Sequence, residues 1–143
     1  MTVKEYLNQA YRLDKRIKSD LLEIERLKEM SLSVSAINYD KDYVQTSRST
    51  EAYFVKCLSK IEELQREIDA EVRLLLALKV QIRELISGIE DTDQEMVLRY
   101  RYLHNFTWER IGQELFADSR TIRRWHKRAL DRIKVPENPI VIS

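Results

Sequence analysis

The residues of this sequence best equipped for chemistry are the cations of DSRTIRRWHKRALDRIK, positions 118–134. From Ser119 to Lys134 seven Lys or Arg stand against one acid, Asp131, while the whole chain sums to only +1. The remainder is therefore net acidic. Ile122, Trp125, Ala129 and Ile133 recur at helical spacing and make one apolar stripe. A turn of ~100° per residue puts Arg120, Arg124 and Lys127 on the opposite side, with Arg123 and Arg128 on its flanks. Asp118 is a good N-cap for such a helix. A helix with a buried spine and a basic outer face suits the phosphates and base edges of a nucleic acid.

Other chemistries lack their residues. His104, His126 and Cys57 have no recognised metal-ligand spacing. His126 reads as a packing residue at the domain edge or a phosphate contact. The carboxylates are scattered, with no Gly-rich phosphate loop and no nucleophile–histidine pairing. Asp91 and Asp93 read as helix caps. No enzyme activity, metal or cofactor is expected. A single cysteine excludes an internal disulfide framework. The opening MTVKEYLNQAYRLDK lacks the apolar core of a secretory signal. No apolar run approaches the roughly 18 residues needed to span a bilayer. The expectation is a soluble cytoplasmic protein with no membrane partner.

The elements that must position the cations follow from composition and period. In 143 residues there are only two glycines and two prolines, which predicts an almost entirely helical chain. Thr2 and Glu5 have the spacing of a capping box. A first helix follows to about Met30, with Tyr6, Ala10, Leu13, Ile17, Leu21, Ile24 and Leu27 on one stripe. Ser31 to Thr50 is crowded with Ser, Thr, Asn and Asp, which offer the backbone competing hydrogen bonds. It reads as a linker, either mobile or functional, with a short helical turn at its centre. Ser49 or Thr50 caps the next helix. Phe54, Cys57, Ile61, Leu64, Ile68, Val72, Leu75, Leu78, Ile82 and Leu85 then form a coiled-coil-like seam. Leu74, Leu76 and Val80 widen it and imply more than one neighbour, either the C-terminal domain or a second subunit. The simplest arrangement is an antiparallel helical hairpin over residues 1–88, ended by Gly88 as a C-cap.

Residues 89–135 read as a second domain and 136–143 as a tail that either packs or hangs free. Asp91-Thr92-Asp93 caps a helix with Met96, Val97, Tyr100 and Leu103 on its buried side, closed by His104-Asn105. Thr107 caps a short helix, TWERIGQEL, with Trp108, Ile111 and Leu115 inward. Phe116-Ala117 turns into the helix that Asp118 caps. Short helix, turn and basic second helix make a helix-turn-helix. Gly112 is small enough for close approach where the two helices cross. The second helix would enter the B-form major groove with its N-terminal residues at the base edges. Arg120, Arg124 and Lys127 are expected nearest the bases, and Ser119 and Thr121 are further candidate DNA-binding residues. Arg123, Arg128, Arg110 and Thr107 are the candidates for phosphate contacts.

The run VLRYRYLHNFTWERIGQELFADSRTIRRWHKRALDRIK resembles region four of bacterial sigma factors. Thr107, Glu109, Ile111, Gly112, Leu115, Asp118, Ile122, Ala129 and Leu130 fall on that family's positions without a gap. The match is similar also to small phage regulators of late transcription of the ArpU and RinA type, which join a helical N-terminal part to a sigma-like domain. Phe116 stands where the family usually has a turn glycine, so the turn differs or accepts strain. The resemblance implies a phage late-gene activator that binds double-stranded promoter DNA and contacts the host RNA polymerase. A homodimer would suit a palindromic or repeated site. Two rival readings share these features: a small terminase subunit of a packaging machine, and a polymerase-binding adaptor that never touches DNA.

Overall fold

A computed structural model describes residues 1–37 and 43–142, with side chains for 1–33 and 51–142. Among the described residues the fold is all-helical, with five α-helices. They are α1 (Val3–Ile37), α2 (Tyr43–Ile86), α3 (Thr92–Leu98), α4 (Trp108–Leu115) and α5 (Ser119–Asp131). A π turn, Arg99–Leu103, continues α3. Among the described residues no helix is long and apolar enough to cross a membrane.

Local chemistry starts the helices where the residue types call for it. Thr2 and Glu5 exchange side-chain bonds with each other's backbone N–H at 3.2 and 3.1 Å, a closed capping box. The N–H of Gln94 donates to Asp91 at 3.0 Å and opens α3.

The long helices differ from expectation at their facing ends. α1 continues past Met30 to Ile37, and α2 begins at Tyr43, so Ser49 and Thr50 lie inside a helix and not at its start. At Ser31 and Ser33 the backbone stays helical although both hydroxyls bond the chain locally. The Ser31 hydroxyl illustrates the compromise, donating to the Leu27 carbonyl at 2.9 Å from within α1. The helical turn expected at the centre of 31–50 falls outside the described residues. At its other end α2 stops without a left-handed cap. Gly88 has no positive φ, and the Ser87 hydroxyl instead donates to the Glu84 carbonyl at 2.7 Å.

The chain forms two compact units that do not divide at Gly88. One is Lys15–Arg73, made of the adjoining parts of α1 and α2. Its core is Ile17 and Ile24 of α1 with Cys57, Ile61, Leu64 and Ile68 of α2. The expected stripes hold there in part, with Leu27 and Phe54 only half-buried. Leu21 is half exposed, and Val72 is exposed too. Asp20 and Glu71 are neighbouring carboxyls. Burial first, and then the Asp20 charge, raises the Glu71 pKa.

The other unit is Met1–Asp14 with Leu74–Ser143. Tyr6, Leu7, Ala10 and Leu13 line its α1 side, and Leu75, Leu78, Ile82 and Ile86 its α2 side. The Tyr6 hydroxyl donates to Gln81 at 2.6 Å, so the start of α1 lies against the end of α2. Burial pushes the Tyr6 pKa up to about 12. Ile86, not Leu85, is the fully buried residue at the end of the seam. Leu74, Leu76 and Val80, expected to meet a further neighbour, are exposed.

The tail packs. Gln9 donates to the Ile140 carbonyl at 2.9 Å and accepts from the Ile142 N–H at 2.9 Å. Gln81 accepts from the Ile140 N–H and donates to the Asn138 carbonyl, each at 3.0 Å. Two glutamine amides thus take the donor and acceptor places a neighbouring strand would fill.

Candidate nucleic-acid interface

The basic face is built from α3, its π turn, α4 and α5, all in the unit that holds the tail. Thr107 is extended, and its hydroxyl accepts from the Arg110 N–H at 3.2 Å, which opens α4. Asp118 is extended likewise and accepts from the Thr121 N–H at 2.7 Å, which opens α5. Those bonds from Thr121 hold the Asp118 carboxyl below its ordinary pKa.

Val97 of α3, Ile111 of α4 and Ile122 of α5 are fully buried against one another. Tyr100, Phe106, Trp108, Leu115, Ala117 and Trp125 close around them, half-buried. Apolar burial on this scale is the force that fixes the angle between two such short helices. The buried side of α3 departs from expectation by a small rotation. Met96, Tyr100 and Leu103 are only half-buried, while Gln94, Leu98 and Tyr102 go inside. Gln94, Leu98 and Tyr102 follow one another at four-residue steps, so they share one face, and it is this face that α3 and its continuation turn inward. The turn closes with the Phe106 N–H donating to the Tyr100 carbonyl at 2.9 Å. Asn105 takes the left-handed conformation, φ 58°, which its side chain tolerates.

Phe116 carries strain. It is left-handed, φ 54° and ψ 45°, at the end of α4, and its side chain is 96% exposed. The bond from the Ala117 N–H to the Gly112 carbonyl at 2.9 Å forces that geometry. Gly112 is needed for the same turn. A Cβ there would lie 2.4 Å from the Ala117 carbonyl oxygen. The approach Gly112 permits is thus to the turn's own carbonyl, not to the crossing helix.

On this support the cations stand clear. Arg120, Arg123, Arg124, Lys127 and Arg128 are exposed, with Ser119 and Thr121 half-buried at the start of α5. Thr107 and Arg110 are exposed at the start of α4. Ile122, Ala129 and Ile133 are buried on the opposite side. All nine candidate residues therefore lie on two adjoining helices joined by one turn. Three arginines rest on aromatic faces: Arg110 lies 3.9 Å above Phe106, and Arg101 and Arg123 lie 4.2 and 5.9 Å from the centre of Trp108.

The chain belongs to the family DUF722. That family's profile, described as a protein of unknown function, matches residues 4–135, so it takes in both long helices and all of α3 to α5. No curated protein and no solved structure matches the chain.

Of the two roles expected for His126, the structure shows packing. His126 is a core residue, 7% exposed, and not a phosphate contact. Its Nε2 shares a 2.6 Å hydrogen bond with the Tyr102 hydroxyl, and its ring meets Trp108 edge-on at 4.8 Å. Burial, then the charges of Lys4 and Arg101, lower its pKa to about 4. Burial raises Tyr102 to about 12. The pair is a neutral hydrogen bond in a closed core. Among the described residues no group of three His, Cys, Asp or Glu is placed to hold a metal. Arg101 was not among the expected site residues. Its only sequence signal is an alternation, Arg-Tyr-Arg-Tyr at 99–102, which fits an amphipathic helix equally well.

Proposed function

We propose that this protein is a sequence-specific double-stranded DNA-binding transcriptional regulator that reads its site with α5 in the major groove. What carries the reading is one conjunction: five exposed cations on α5, and an apolar spine on its other side locked to α4 by Ile111 and Ile122. A rigid helix with free basic side chains is the part that enters a groove about 12 Å wide. Ser119, Arg120, Thr121, Arg124 and Lys127 face the bases. Thr107, Arg110, Arg123 and Arg128 hold phosphates. The protein needs no cofactor and performs no catalytic step.

Within this reading α4, the turn and α5 are a sigma region four-like helix-turn-helix, and the chain is a phage late-gene activator of the ArpU and RinA type. It acts beside the host RNA polymerase in the bacterial cytoplasm. A homodimer completes it on a repeated site, and sedimentation of the full chain with and without duplex checks that.

The test is selection from a randomised duplex library at moderate salt. An enriched motif is expected. No enrichment, with equal retention of every sequence, sinks the proposal. Arg124→Ala should relax base preference at one position by about 1–3 kcal/mol. Arg128→Ala should weaken all sequences alike and lower the salt slope by about one.

A further inference from the structure

Beside the basic face, the same unit holds a cleft of about 300 Å³ lined by Asn8, Tyr11 and Arg12 of α1 and by Arg101 and Tyr102 of the π turn. Two guanidiniums and an amide face it, and no carboxylate lines it. Asn8 and Arg12 share one face of α1 at four-residue spacing, and Lys4 stands one turn earlier on that face. Among the described residues neither Arg12 nor Arg101 is paired with an acid.

Arg101 is fixed in place. Its Nη1 donates to the Phe106 carbonyl at 3.0 Å while its guanidinium lies on the Trp108 ring. That bond uses one of five donors and leaves the others for a ligand. A planar, pre-oriented guanidinium beside a second one matches the oxygens of a phosphate. The cleft is also continuous with the face already described. Trp108 carries Arg101 near its ring and, at 5.9 Å, Arg123 of α5. A line of positive charge thus runs from α5, over the first residue of α4, to the first turns of α1.

We infer that a backbone phosphate of the bound duplex seats between Arg12 and Arg101, making the start of α1 part of the DNA interface. This rests on the duplex-binding reading above. The phosphate contact adds affinity and salt dependence and no sequence choice.

The experiment measures duplex affinity against salt for the full chain, for Arg12→Gln and for Arg26→Gln. Arg12 and Arg26 are both exposed, and Arg26 lies in the other compact unit. Thermal melts of both variants confirm that the fold is kept. Arg12→Gln should bind several-fold more weakly at low salt, lower the slope of log K against log salt by about 0.9, and select the same motif. Arg26→Gln should leave the slope unchanged. An unchanged slope in Arg12→Gln, or an equal fall in both variants, overturns the cleft assignment while leaving duplex reading by α5 intact. Failure of the unmodified chain to retain any duplex overturns both.

Discussion

At the scale of single residues, the turn between α4 and α5 rests on an unusual pair. Gly112 is there because nothing larger fits under the Ala117 carbonyl. Gly112→Ala must push that carbonyl away or break the turn, and about 2 kcal/mol or more of stability should be lost in denaturant unfolding. Phe116 is the reverse case. Its exposed ring packs on nothing that offsets a left-handed backbone. Phe116→Gly should therefore stabilise the fold by about 1 kcal/mol, read as a higher melting temperature. His126 gives a pH signature. Its pKa is about 4 in the folded chain, against an ordinary value of 6.5. Above pH 6.5 both states are neutral there and His126 contributes nothing. As the pH falls from 6.5 toward 4 the unfolded chain takes up a proton that the folded chain refuses. Stability should fall by at most about 1.4 kcal/mol per pH unit in that window, and His126→Asn should flatten the slope between pH 6.5 and 5.

At the scale of elements, the caps were legible because their chemistry is local. Thr2 with Glu5, Asp91, Thr107 and Asp118 each bond a backbone group three residues away, so residue type and spacing suffice. The apolar stripes of α1 and α2 were legible in period and less so in phase. Leu21 and Val72 fall on the stripe in sequence yet remain exposed, and Ile86 is buried in place of Leu85. Period says that a face exists; the partner's own side chains decide which residues at its edges are covered. The lengths of α1 and α2 were misread near residues 31–50, since propensity is a weak prior against a long helix already nucleated. The Asp20–Glu71 pair makes its own prediction. Because the folded Glu71 pKa is raised, this group's contribution is present at low pH and lost as pH rises through the folded value. Glu71→Gln should raise the melting temperature at pH 7 and leave it unchanged near pH 3.

At the scale of the whole molecule, the first turns of α1, the end of α2 and the last residues of the chain share one unit with the basic face. The tail is held there by Gln9 and Gln81. The amides of Ile140 and Ile142 should accordingly be protected from hydrogen exchange. Gln81→Ala should abolish that protection at Ile140 while the amides of α5 exchange as before; unchanged protection would show that the tail is held otherwise.

What the chain's order of residues determined by itself is whatever depends on neighbours within about one helical turn: the helical class, the caps, the apolar spine of α5 and the cations opposite it. Phe116 was already conspicuous as a bulky residue where the backbone must turn. Only the tertiary structure decided the rest. It turned Tyr102 inward, buried His126 against it, set Arg101 on Trp108 and brought Arg12 to the same cleft. Those contacts join residues up to ninety positions apart, and no periodicity along the chain encodes which distant side chains will meet. That choice belongs to close packing, where a shift of one residue in register changes every partner.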